Sequence, residues 1–460
     1  MIRKKENCVP STVTLLAVFF LFYVHDVLHI GTPSVLYMAV IVLGSLFFQK
    51  EDYVLFGCCI PLFINGLLLI GYCFSLVMII YYAKSIIAQR KKEGFKIKYN
   101  KYLLLMILLM LNEFYTFSRY GQFELQSYLS TAFTYFLFAI AFYEVKDIDN
   151  RRIEIISKRY LFMFILLMIE LLLQSLLYSS LQDMIANGLR FGVVNQQNRF
   201  DNTGNLGMDK NTIALLCLLA MCICYFLVRE KKESKYLFVG GAVAFFGLLT
   251  LSKTFLLMLF IFAVFIFFSD AMNGRITKNQ MILFPLITLT VIGVIMFVKP
   301  INTLFTNIIN RFTVTDTTKT TGTLTTGRDL IFAYYSRFMF SNPKYLFTGV
   351  GLKNIGVVVQ TFQGATTHNA IQDIFVCCGV VGLIIFFLFF LQMFKDAKRI
   401  RKQKICFDNL FLFLIYFLFI QSIQFVRLAN IYFNLLLVFL WLCYCFDLRN
   451  SDTSTELRKG

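Results

Sequence analysis

No hydrophilic module interrupts this sequence. Only 15% of its 460 residues are charged and 58% are hydrophobic, with apolar runs following one another at intervals of roughly 20–30 residues. That excludes the string of soluble domains the length alone would suggest, and a mean hydropathy of +0.70 points to one integral-membrane domain over residues 1–460. Acidic residues are scarce too: 26 against 44 basic ones give a formal charge of +18. In a soluble protein this would raise nucleic-acid binding, but the basic residues fall mainly in short loops between apolar runs and report topology instead, so no nucleic acid is expected as a partner. The twelve cysteines show no metal-like spacing, so neither a zinc site nor a disulfide framework is indicated, and the adjacent pairs Cys58-Cys59 and Cys377-Cys378 read as packing residues. A small-residue cleavage site is missing after the basic residues Arg3, Lys4 and Lys5, so the first apolar run reads as a retained helix. There is no internal repeat and no heptad array.

What is present is a series of stretches of bilayer-spanning length. Clear spans fall near 102–119, 127–145, 160–180, 211–229, 254–270, 281–298, 372–394, 409–427 and 430–447. Shorter runs occupy 11–24, 34–49 and 236–250, and the run 53–83 is too long for one untilted helix; Pro61, Asn65 and Gly66 could break it in two. The expectation is an all-α, polytopic membrane protein with about twelve to fourteen transmembrane helices. Counting Lys and Arg on alternate sides puts 31 of the 44 on one side, which is therefore the cytoplasm, and both termini lie there if 53–83 is split. The implied location is a cell membrane, with the lipid bilayer as the first partner.

Two long segments, 181–210 and 299–371, then fall on the extracytoplasmic side. The second has 73 residues and internal pattern, which suits a functional loop. Ile301, Leu304, Phe305, Ile308, Ile309 and Phe312 form the stripe of an amphipathic helix expected to lie along the membrane surface. A Thr-rich linker over 313–326 follows, and a second amphipathic helix is expected from Gly327-Arg328-Asp329 to Phe340, stopped by Pro343. Thr348-Gly349-Val350-Gly351-Leu352 then makes a turn or a close-approach loop.

This outer loop carries seven basic residues, among them Arg328 and Arg337, against Asp316 and Asp329. A cationic external loop runs against the positive-inside rule and suits an anionic ligand, although long loops also translocate regardless of charge. Lys253, at the outer junction of two tightly joined runs, either snorkels to the interface or faces a site. Arg328 opens a helix, where a cation opposes the helix dipole, and its guanidinium suits bidentate phosphate contacts. His368 is the one histidine beyond residue 29 and is the side chain best suited to exchange a proton near neutral pH.

The order of these features carries a resemblance. An outer loop containing Arg199, Asp209-Lys210-Asn211 opening a span, Ser252-Lys253-Thr254, Thr326-Gly327-Arg328, Gly349-Val350-Gly351-Leu352, and His368-Asn369 followed by Gly379-Val380-Val381-Gly382 resembles the O-antigen polymerase and O-antigen ligase superfamily over about residues 195–395. That family usually has arginine where this chain has Lys253, which keeps the charge and loses the bidentate geometry. The resemblance implies a GT-C-like membrane glycosyltransferase that moves an oligosaccharide from undecaprenyl pyrophosphate to a sugar acceptor at the outer face of the bacterial cell membrane. It implies Arg328 and Lys253 as cations meeting the leaving pyrophosphate, with Arg199 and Arg337 as additions, His368 as base or orienting group, and Asn369 beside it. A flippase and a chain-length regulator of the same pathway are implied as partners. No cofactor is implied, and the outer carboxylates Asp183, Asp201, Asp209, Asp316 and Asp329 are scattered, so metal independence is expected.

Polymerase and ligase share this chemistry and differ in acceptor. The departure at Lys253 and the 54 Phe and 23 Tyr favour a polymerase making capsule, exopolysaccharide or O-antigen, although aromatic abundance equally serves packing. A precursor transporter or flippase is the rival of another class. It would use intramembrane charges, for which Glu113, Glu170 and Arg427 are candidates, Glu170 and Arg427 alternatively pairing as structural glue, but it would be expected to show a repeat. A non-catalytic scaffold would tolerate substitution of Arg328 and His368.

Overall fold

The computed structural model describes residues 9–28, 30–63, 70–92, 100–120, 150–178, 210–250, 252–272, 328–351 and 369–401, with short pieces at 139, 180, 182, 293, 296–299, 302–303, 305–306 and 358–359. Among the described residues the chain is all-helical, with no strand. The helices are α1 (Val9–Asp26), α2 (Ser34–Ser45), α3 (Lys50–Phe63), α4 (Ile70–Lys92), α5 (Lys101–Tyr120), α6 (Asn150–Tyr178), α7 (Lys210–Lys231), α8 (Lys235–Leu249), α9 (Lys253–Met272), α10 (Arg328–Ser341), α11 (Pro343–Leu346) and α12 (Ala370–Arg401). The long run 53–83 is divided between α3 and α4. Two helical stretches are long and apolar enough to cross a membrane, Lys101–Tyr120 and Ile371–Phe389. Shorter apolar helices run over Val9–His25, Val35–Ser45, Ile79–Ala88, Leu216–Arg229, Lys235–Leu249 and Phe255–Val264. The expected spans 127–145, 281–298, 409–427 and 430–447 lie wholly or almost wholly outside the described residues, as do 181–210 and the Thr-rich linker. Around the first amphipathic helix, residue 299 and the pieces at 302–303 and 305–306 are helical, with the Asn302 amide donating to the Val298 carbonyl at 2.9 Å.

Local chemistry sets several helix boundaries. Asn100 accepts from the Tyr102 and Leu103 amides at 3.0 and 3.2 Å, satisfying donors that the first turn of α5 cannot pair internally. The same side chain donates to the Ala139 carbonyl at 3.1 Å. α10 stops at Ser341 because Asn342 leaves helical geometry (φ −126°, ψ 74°) and Pro343, at the first position of α11, has no amide to continue the ladder. Asn342 turns its side-chain amide back to the Phe338 carbonyl at 2.8 Å and closes that end.

Among the described residues the most extensive helix–helix contacts fall into two sets, whose buried apolar side chains belong to one core. In one, α1 packs on α2, α3 and α6, α2 on α4, α3 on α6, α6 on α7, and α7 on α8 and α9. In the other, α5 packs on α12, and α12 on α10 and α11. Large buried rings centre the first set: Phe22 against Tyr37 at 4.7 Å between centroids, and Tyr53 against Tyr81 at 5.0 Å.

Polar contacts tie one end of the first set together. The Ser11 amide and hydroxyl donate to Asp52 Oδ1 at 3.0 and 2.5 Å, Arg152 pairs with Glu51, and Lys84 donates to the Ser45 and Phe48 carbonyls at 3.2 and 3.0 Å. Lys158 bridges Glu154 at 2.7 Å and Glu233, in the α7–α8 turn, at 2.6 Å; Lys235 meets the other Glu233 oxygen at 2.8 Å. Partial burial works against the Lys158 ammonium, yet the two carboxylates outweigh it and hold it well above its ordinary value. Hydrogen bonds from Lys158 and Lys235 hold Glu233 below the usual carboxylate range. With one pKa raised and the other depressed, the clamp's contribution is complete between about pH 5 and pH 10. It falls away as acid titrates Glu233 through its lowered value, or as base titrates Lys158 through its raised one. Glu233→Gln is expected to cost about 1 kcal/mol or less at pH 7, because both side chains are partly exposed, at 31% and 27%. In thermal unfolding the gap to the wild type should narrow as pH falls below the usual carboxylate range and close as Glu233 titrates through its lowered value; a gap unchanged in strong acid would remove the clamp as its cause.

Candidate functional site

The second set contains a broken helix. Within α12, Gly379 leaves helical geometry at φ 64°, ψ −161°, a conformation essentially reserved for glycine, and so frees carbonyls in the middle of a stretch of membrane-crossing length. Residues 347–351 fill the break. The Val350 amide donates to the Val376 carbonyl at 2.9 Å and the Gly351 amide to the Cys377 carbonyl at 2.8 Å, while the Val381 amide donates back to the Phe347 carbonyl at 3.0 Å. Gly349, at φ 77°, passes so close that a Cβ there would lie 2.2 Å from the Cys377 carbonyl oxygen; one on Gly379 would lie 2.3 Å from the Phe347 oxygen. Two glycine motifs that stand apart in the sequence therefore lock into each other.

α5 closes the third side. It runs antiparallel to α12, with Tyr102 against Phe389 at 5.2 Å between centroids and, further along, the Asn112 side-chain amide donating to the Thr348 and Cys378 carbonyls at 3.1 and 3.4 Å. At its far end Tyr120 packs edge-on against Tyr345 at 4.9 Å and donates to the Lys344 carbonyl at 3.4 Å. Eight residues of α5 separate Tyr120 from Asn112, about 12 Å along the axis. The chain thus descends from Lys344 at the end of α5 to Thr348 beside its middle. Irregular backbone buried among helices leaves polar groups that need partners, and here the loop amides, the broken helix and Asn112 supply them.

α10 and α12 run side by side in the same direction. Gln372 reaches Phe332 and Ser336, and one turn later along α10 Phe340 meets Phe375 at 6.1 Å between centroids. Their first residues therefore share one end, the end where α5 finishes. Arg328 opens α10, and Asn369 caps α12, its Oδ1 accepting from the Gln372 amide at 3.1 Å. Buried acids accompany these helices: Asp373 in the first turn of α12 and Glu113 in α5.

The structure brings Arg328 and Asn369, 41 positions apart, to the same end of one helix set. Arg337 lies on α10 with its side chain exposed. Lys253 opens α9, which packs on α7 and α8 in the other set. There the neighbouring Ser252 hydroxyl accepts from the Phe255 amide at 3.4 Å, so that serine has a helix-capping role of its own. Arg199 and His368 lie outside the described residues, as does Arg427; Glu170 is buried in α6. Asn112, Gln372 and Asp373 are absent from the sequence-based candidates. Their signal was available: polar groups inside or at the mouth of apolar runs are costly unless partnered. No protein-family model, curated protein or solved structure matches this chain.

Proposed function

We propose that this chain is a membrane-embedded polysaccharide polymerase, a metal-independent glycosyltransferase that joins undecaprenyl-pyrophosphate-linked repeat units into capsule, exopolysaccharide or O-antigen at the outer face of the cell membrane. The observation that carries it is the convergence of Arg328 and Asn369 at one end of the α5–α10–α12 set. Two helices begin at that end, and helix N-termini together with a guanidinium favour the negative charge that grows on a departing pyrophosphate. Asp373 in the first turn of α12 offsets part of that field. The large apolar side chains that point outward, such as Phe238, Phe260 and Phe387, suit a lipid surround. In this reading about twelve to fourteen helices cross the bilayer, both termini are cytoplasmic, and the end tied by Lys158, Glu233, Arg152 and Glu51 faces the cytoplasm.

Arg328 and Lys253 neutralise the leaving group, with Arg199 and Arg337 available to the rest of the anion, and His368 takes the proton of the attacking hydroxyl. A ligase would use the same machinery on a lipid or protein acceptor. A transporter built on a discontinuous helix would keep the freed carbonyls for ions or substrate. Here those of Val376, Cys377 and Cys378 already accept from Val350, Gly351 and Asn112, which favours the enzyme.

Deleting the gene and resolving surface polysaccharide by length tests the reading. Long chains should vanish while single repeats still reach the surface, and restored polymerisation should survive EDTA. Accumulation of inward-facing precursor would establish the transporter instead, and unaltered chain length with loss of attachment would establish the ligase.

A further inference from the structure

Gln372 is buried, with 4% of its surface exposed, in the first turn of α12. Its Nε2 donates to the Phe332 carbonyl at 2.6 Å and to the Ser336 hydroxyl at 3.0 Å. The amide can sit only one way round, because a backbone carbonyl cannot donate and so must face the NH2 group. Oε1 is then buried with no hydrogen-bond partner among the described residues. A contact serving packing alone would do better with Met or Leu, which strand no acceptor. The same residue's amide is the one capped by Asn369 Oδ1 at 3.1 Å. Phe332 lies one helical turn, about 6 Å, beyond Arg328. One residue therefore connects the cap of α12 to the first turns of α10.

We propose that Gln372 is a positioning residue, whose side-chain amide fixes the start of α10, and with it Arg328, against the Asn369-capped start of α12. This rests on the polymerase reading, in which Arg328 meets the leaving pyrophosphate. A fixed cation stabilises developing charge only if it is in place before the charge appears, and misplacement by about 1 Å is enough to cost a large factor in rate. Gln372 makes no step of the reaction itself. It acts through the helix that carries Arg328.

The test is a double-mutant cycle on the full-length protein in the deletion strain, using the endogenous lipid-linked repeat unit as substrate. The readout is the rate at which long chains appear after induction, normalised to the membrane level of each variant. Gln372→Met is expected to slow polymerisation about 10- to 100-fold, and Ser336→Ala, which removes one of the two acceptors, about threefold. In an Arg328→Lys background, where bidentate contact is already lost, Gln372→Met should cost less than about threefold, because its target no longer has a geometry to protect. Equal factors in both backgrounds, or a full rate in Gln372→Met, would overturn the assignment while leaving the polymerase reading intact. Should Gln372→Met not accumulate, Ser336→Ala carries the same cycle and is decided the same way. If Arg328→Ala polymerises at the wild-type rate, the polymerase site itself is wrong and the positioning role falls with it.

Discussion

Gly349→Ala and Gly379→Ala should each remove most of the folded protein. At both positions a methyl group would enter the space of a backbone carbonyl, 2.2 Å from Cys377 O in one case and 2.3 Å from Phe347 O in the other. Neither oxygen can swing aside, since each belongs to the segment that grips the other. Both glycines also have positive φ, at 77° and 64°, where a side chain costs about 1–3 kcal/mol before any clash is counted. Overpacking adds about 1–3 kcal/mol more. Together, about 2–6 kcal/mol, these reach the lower end of the whole stability of an ordinary domain, about 5–15 kcal/mol. Gly241→Ala in α8 is the control, as its new methyl would meet nothing within 4 Å. Membrane abundance and the monodisperse fraction after detergent extraction would report the outcome. Wild-type levels of Gly349→Ala would mean that the interlock is not built as described.

The second large effect concerns chemistry and leaves abundance unchanged. On the proposed polymerase reading, Arg328→Ala is expected to lower polymerisation about 100- to 1000-fold, the loss typical of removing one group that stabilises developing charge. Arg328→Lys should fall between, about 10-fold below wild type, because the charge stays and the paired hydrogen bonds go. His368→Ala should cost about 100-fold or more if it is the base. Single repeats persist in all three strains, so the fault is placed in joining and not in supply. Full chain length from Arg328→Ala and His368→Ala at normal membrane levels would transfer the argument to the transporter or the scaffold.

Much of the helical layout was legible because apolar runs, capping residues and prolines act locally. The stop of α10 before Pro343 and the division of 53–83 into α3 and α4 follow from chain chemistry that any window of sequence exposes. Gly349-Val350-Gly351 was readable as a close-approach loop, but its target was not, since nothing local links residue 349 to residue 377. The same holds for Asn112, whose partners lie 236 and 266 positions away. Gln372 was hidden differently. Beside the histidine and the arginines it looked like the polar fringe of a span, and only the approach of α10 gives its amide a purpose. Two of the motifs that carry the family resemblance, around Gly349 and Gly379, turn out to serve each other and need no substrate to explain them.

The descent of residues 347–351 into the break in α12 also orders the birth of the protein. Asn112 leaves the ribosome 236 residues ahead of Thr348, an interval of about 10–50 s at ordinary rates of synthesis. Until then its amide is a polar group in an apolar helix with its final acceptors unmade. The loop itself must wait for Val376 and Cys377, which follow it. A nascent chain halted anywhere between 112 and 376 therefore lacks these contacts, and the interlock can form only when α12 arrives to receive its loop.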